Sequence, residues 1–340
     1  MALLFCDSFD HYDTPEWTTK WSGGTFGVIV PGGRTGNCLS CSAVGPWKAF
    51  PADYATLVAG LAHNPGGFAN AVVYFDNAVS MLRTYLNHVG DGRLRFGYHA
   101  GYTDVAGDVI STFMLSLNVW YYVELKATVS VSGRNVTFTA EARVNEIVIL
   151  NETKTITATG IDPAILAAHP GFNQAHLQAA GASYGALVDD VYVTDGDYLG
   201  DIKIGVLYPN ADGDAGDWTP SSGADHYAMV KEHPPDEDTT YNSATIAGQT
   251  DLYQLDDIPP DFSGDIRGAQ ALWRLKKSDA GSATVRSQIK SAGVVLEGSD
   301  VPPSYTAYNY IIQPYGVSPF TGAHWSAAEI NALQLGIKRT

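Results

Sequence analysis

Residues 210–217 read NADGDAGD, which places Asn210, Asp212 and Asp214 at alternate positions with Asp217 three further on. Hard oxygen donors set between glycines are what Ca2+ takes. The pattern is not that of an EF-hand loop, because Ala215 stands at its glycine position and Ser221 at its glutamate position. Two readings stay open: a looser Ca2+ site made from Asn210, Asp212, Asp214, Asp217 and backbone carbonyls, or a solvated turn. Trp218 follows on the same polar loop and is the tryptophan best placed to stack on a ligand.

Other chemistries find less support. Retaining glycoside hydrolysis needs two carboxyl groups roughly 5–5.5 Å apart. Glu124, Glu141 and Glu146 each lack an acidic neighbour two residues on. Asp189 and Asp190 are adjacent, so a strand would point them to opposite faces as a solvated edge. Cys38 and Cys41 form one C-x-x-C without a second pair, short of a structural zinc, and read as buried thiols. The histidines are scattered singly, and no nucleophile elbow, zincin, P-loop or dinucleotide fingerprint occurs. No catalytic residues, no enzymatic activity and no cofactor beyond that calcium ion are expected.

The elements that carry these residues read as strands. Charged residues make up only 16% of the chain, against 35 Gly and 17 Pro that punctuate it throughout. Short apolar runs such as GVIV, NCLSCSAV, ATLVAGLAH, NAVVYFDN, MLRTYLNHV and GRLRFGYHAG are separated by polar breaks, the spacing of a β-sandwich. YYVELKATV and NVTFTAEARV alternate with period two around the turn SGRN, as antiparallel strands with one solvated side do. Asp162 and Pro163 open a short helix, and Ser326 with Glu329 forms a capping box for another. A strand is expected over YLGDIKIGVLYP, followed by loop-rich sequence to about residue 265 and further strands near AQALWRLKKS, ATVRSQIKSAG, AYNYIIQPYG and LQLGIKR. The fold class is therefore all-β: two antiparallel β-sandwich (jelly-roll) domains with one or two short helices. The boundaries are 1–198 for the first and 199–340 for a second, smaller sandwich with long acidic loops.

The net charge is −16, spread evenly over both halves. Such a chain repels phosphate backbones, which argues against nucleic-acid partners. No apolar run approaches the ~18 residues of a membrane span, and the N-terminus lacks the pattern of a signal peptide. Synthesis in a cytoplasm is the expectation.

The first half resembles concanavalin A-like jelly rolls of the laminin-G, lectin and glucanase type. The residues that carry the likeness are LLFCDSFDHY with Trp21, GTFGVIVPGGRTGNCLSCS, the hairpin WYYVELKATV/TFTAEARVNEIVIL, and ALVDDVYVTDG. The E-x-D-x-E strand of the glucanases is missing. From YLGDIKIGVLYPNADGDAGDWTP to WSAAEINALQLGIK, the chain is similar to tailed-bacteriophage virion structural proteins. That resemblance implies a non-enzymatic virion protein, tail- or fibre-associated, made in the host cytoplasm, whose partners are other virion proteins and copies of itself. It leaves open a capsid-surface decoration protein, and a carbohydrate-binding adhesin that grips host glycan.

Overall fold

The computed structural model describes residues 1–14, 16–24, 27–41, 45–68, 71–177 and 185–340. Thr25, Phe26 and Ser42 of the small-residue strand pair, and Asn70 at the head of NAVVYFDN, lie outside them. The chain divides into two compact units: Met1–Asp10 with Trp21–Ile204, and His11–Lys20 with Gly205–Thr340. It is all-β among the described residues, with antiparallel sheets and three short α-helices: α1 (Trp17–Lys20), α2 (Pro163–Ala168) and α3 (Ala327–Asn331). The two expected caps are present: Asp162 accepts from the Ala164 N–H, and Ser326 from the Glu329 N–H.

The first unit holds β1 (Leu3–Asp7), β2 (Gly27–Pro31), β3 (Asn37–Cys41), β4 (Trp47–Tyr54), β5 (Thr56–Asn64), β6 (Ala71–Asn77) and β7 (Leu82–His88). It continues with β8 (Leu94–Ala100), β9 (Thr103–Ile110), β10 (Tyr121–Ser132), β11 (Asn135–Val144), β12 (Ile147–Thr157), β13 (Phe172–Leu177) and β14 (Ala186–Thr194). An eight-stranded sheet runs β12-β11-β10-β5-β14-β3-β2, with β1 also against β14, and a six-stranded sheet runs β4-β13-β6-β7-β8-β9. Period-two alternation decides which side of each strand is buried. Phe138 of β11 meets Tyr98 of β8 at 5.5 Å and Phe172 of β13 at 6.4 Å, so these rings mark the two inner faces. Each such side chain is fully buried and worth about 1.5–3 kcal/mol.

The second unit holds β15 (Pro209–Gly216), β16 (Thr219–Pro220), β17 (Asn242–Ser243), β18 (Thr250–Leu255), β19 (Ala269–Leu275), β20 (Val285–Ser291), β21 (Val294–Glu297), β22 (Asn309–Tyr315) and β23 (Gln334–Arg339). Its main sheet has five strands in the order β15-β18-β23-β20-β21, beside the pairs β16-β17 and β19-β22. Trp273 and Ile337 anchor one apolar cluster, Trp325 and Ile289 another.

A third helix, α1, and the strand β18 within the stretch expected to be loop-rich go beyond the sequence expectation, and two further segments depart from it. YLGDIKIGVLYP forms no strand before Pro209. Its N–H groups go to side chains instead of a ladder: Leu199 to the Tyr192 hydroxyl, Gly200 to Glu124 and Ile204 to Asp190. Conversely, NADGDAG is strand β15 and not a loop. Its alternate residues are exposed, so acids can sit on the solvent side while the backbone pairs with β18 through two irregular steps.

Candidate functional site

The outer face of the six-stranded sheet is built by alternation. Leu82, Thr84 and Leu86 of β7 are buried inward, which turns Arg83, Tyr85 and Asn87 outward. On β8, Phe96 and Tyr98 point inward and Arg95, Gly97 and His99 outward. Register then aligns one row across five strands: Trp47, His176, Tyr74, Tyr85 and Gly97. Trp47 stacks on His176 at 5.7 Å and His176 on Tyr74 at 4.1 Å, as cross-strand aromatics do.

Tyr85 has Tyr74 opposite it on β6 but only Gly97 opposite it on β8, and its ring lies against that glycine. A Cβ added there would stand 2.0 Å from the ring, so this approach requires glycine. The phenol crosses β8 and donates to Asp104 Oδ1 of β9 at 2.7 Å. A depression of about 230 Å3 follows, lined by Tyr74, Arg83, Tyr85, Asn87, His99 and Asp104.

Several polar groups on this face are unengaged. Arg83 pairs with Asp76 at 2.7 Å and lies over the Tyr74 ring at 5.0 Å. Asn87, Arg95 and His99, by contrast, have side chains with no hydrogen bond or ion pair among the described residues, and the buried Nε of Arg95 has no acceptor. Burial pushes the Tyr85 phenol above its usual range, the bond to Asp104 adds to this, and Arg83 and Arg95 oppose it. Burial, helped by Arg83, pushes His176 down to about 3, so that ring is neutral at neutral pH and contacts Gln174. A flat ring face bordered by free planar donors suits a sugar, which offers a C–H face to stack and hydroxyls to bond.

The outer face of the eight-stranded sheet is covered around β14, β5 and β10. Tyr192 of β14 lies across Gly60 of β5, 2.1 Å from where a Cβ would be, and donates to Glu124 of β10. It stacks with Tyr122 at 6.4 Å. The segment Tyr198–Ile204 covers this cluster with Tyr198, Leu199 and Ile202. Arg34 ties it down, reaching Asp201 at 2.7 Å and the Ile202 carbonyl at 3.3 Å.

Asp189 and Asp190, expected at a solvated edge, are both fully buried. A β-bulge follows Asp189, and Asp190 takes a left-handed φ of 47°. Asp189 accepts from the Arg34 and Asp190 N–H groups, and Asp190 from Ile204. Burial raises both carboxyl pKa values, and for Asp189 the charge of Asp190 adds to the rise. Cys38 and Cys41 are buried thiols pushed up to about 12 by burial.

The sequence candidates on β15 and just after it hold separate partners. Asp212 accepts from the Tyr227 N–H at 2.7 Å, Asp214 pairs with Lys290, and Asp217 accepts from the Thr250 N–H at 3.1 Å. Asn210 is exposed on the same strand. Among the described residues, no three His, Cys, Asp or Glu side chains are grouped to hold a metal ion. Trp218 is half-buried against the Trp273 cluster, with its indole N–H on the Gln249 carbonyl at 3.2 Å. Sequence reasoning did not single out Tyr74, Tyr85 or Arg95. The available signal was the polar phase of LRTYLNH and LRFGYHA, with a glycine in the second run where a side chain would otherwise point outward.

No family model matches the chain, and no curated protein matches it. Among solved structures, it is similar to domain 4 of AbnA, an extracellular arabinanase of Geobacillus stearothermophilus in complex with arabinotriose, with 11% identity, a TM-score of 0.38, and coverage of 57% of this chain and 93% of that one. It is also similar to the carbohydrate-binding module CBM66 of Bacillus subtilis, at 10% identity and TM-score 0.31, covering 50% of this chain and 93% of that one. A tail fibre protein of an E. coli phage is similar at 14% identity and TM-score 0.23, covering 45% of this chain and 16% of that one. Likenesses this distant transfer neither ligand nor activity.

Proposed function

We propose that this chain is a non-enzymatic virion structural protein of a bacteriophage, tail- or fibre-associated, that binds host glycan on the outer face of its six-stranded sheet. The observation that carries the glycan reading is the half-buried Tyr85 ring packed against Gly97 at an open depression, beside polar side chains that the protein itself does not engage. The virion role rests on the sequence resemblance. The non-enzymatic role is supported by the state of the candidate acids: Asp189, Asp190 and Glu124 are buried and hydrogen-bonded inside a covered face. A glycan array probed with the full chain tests the reading. Binding to at least one glycan class is expected, weakened roughly tenfold or more by Tyr85→Ala. An array without signal at high protein concentration would sink it.

A purely assembling role is the second reading, favoured by β21. This edge strand of the five-stranded sheet exposes Val294 and Val295, a surface suited to pairing with another chain.

A further inference from the structure

The glycan face carries a cation with nothing to balance it. The chain has a net charge of −16, and most of its arginines have a carboxylate partner. Arg34, Arg83, Arg93, Arg143, Arg267, Arg274 and Arg286 all pair with carboxylates. Arg134 and Arg339 donate to backbone carbonyls. Arg95 alone among the arginines has neither a hydrogen bond nor an ion pair among the described residues, although it is half-buried and its Nε is shielded from solvent. Leaving such a donor unmatched costs about 1–3 kcal/mol, a cost a ligand can relieve.

Its placement is specific. Arg95 stands directly across from Asn87, whose side-chain amide is also unengaged, and next to Gly97 on the outward side of β8. A ring stacked on Tyr85 therefore has a guanidinium and an amide at one rim. Two planar donors side by side match the two oxygens of a planar carboxylate. At the other rim, Arg83 is already held by Asp76, so the free charge sits on the Arg95 side.

We infer that the ligand of this face is an acidic saccharide whose ring stacks on Tyr85 and whose carboxylate is received by Arg95 and Asn87, an inference that rests on the glycan-binding reading. Calorimetry on the full chain compares a uronic-acid oligosaccharide, its neutral hexose counterpart of the same linkage and a sulfated counterpart. The uronic-acid ligand should bind roughly tenfold tighter than the neutral one. Arg95→Gln should remove that preference, and Lys126→Gln, a charge-matched change on the other sheet, should keep it. The preference should also shrink as salt rises from about 50 mM to about 500 mM. Equal or tighter binding of the neutral ligand, an undiminished preference in Arg95→Gln, or strongest binding of the sulfated ligand overturns the carboxylate assignment while leaving glycan binding in place. Absence of binding to all three ligands, with array silence, removes the glycan reading as well.

Discussion

Each sheet of the first unit lays a tyrosine across a glycine to reach a carboxylate on the third strand. Tyr192 crosses Gly60 to Glu124, and Tyr85 crosses Gly97 to Asp104. The local device is the same and the surroundings differ. Tyr198–Ile204 closes over Tyr192, which is fully buried, whereas Tyr85 is half-buried and lines the depression. Burial thus turns one copy into core and leaves the other available to a ligand.

The largest expected effect separates the two glycines. In Gly60→Ala the new methyl meets a ring that its own cover holds in place, and over-packing of this kind costs about 1–3 kcal/mol. In Gly97→Ala the Tyr85 ring can tilt toward solvent, so stability should change by no more than about 0.5 kcal/mol. Urea unfolding of both variants measures the contrast, and equal losses would break it.

A second contrast of comparable size separates the two hydroxyls. Tyr192→Phe strips the buried Glu124 carboxylate of a donor and the Leu199 N–H of its acceptor. About 1–3 kcal/mol should be lost. Tyr85→Phe frees Asp104, which is exposed and can turn to water, so about 0.5 kcal/mol or less is expected. A loss in Tyr85→Phe as large as in Tyr192→Phe would mean that the open face is as structural as the closed one.

How much of this was legible in sequence follows from what is local. The alternation in YYVELKATV and NVTFTAEARV gave β10 and β11, and the capping pairs gave α2 and α3, because both signals lie within a few residues. The Tyr85–Gly97 and Tyr192–Gly60 pairs depend on register between strands, and single-sequence spacing does not contain that. The Tyr198–Ile204 cover read as a strand because its apolar residues suit one. What redirected it was side-chain acceptors, Glu124, Asp190 and Tyr192, supplied from distant positions. NADGDAG read as a loop because acids and glycines are poor strand formers. Pairing with β18, with the acids on the solvent side, overrode that propensity.

The smallest expected effect is a slope with pH, and it should come from the closed face alone. Burial, with the charge of Asp190 adding, lets folded Asp189 hold its proton up to about 8. An unfolded aspartate releases its proton near ~3.9. The folded state binds the extra proton in between, so this stabilisation is complete below about 4 and is lost as pH rises through about 8. His63, His88 and His176 act in the opposite sense but lower down. Burial pushes them to about 3, about 4 and about 3, against ~6.5 when unfolded, so they destabilise as pH falls through about 7 and below. From about pH 7 to about pH 8 the residual histidine effect is small, and the buried Cys38 and Cys41 thiols have a small effect of contrary sign. Asp190, at about 6, is already ionised there, so Asp189 dominates this window. Unfolding free energy should fall by on the order of 1 kcal/mol across it, measured in urea at constant ionic strength. Asp189→Asn should flatten that slope. Tyr85→Phe should leave it intact, because the Tyr85 phenol is raised and stays neutral throughout the window. A flat or rising profile in the unmodified chain would show that the closed face does not hold Asp189 protonated, and the contrast with the open face would then rest on packing alone.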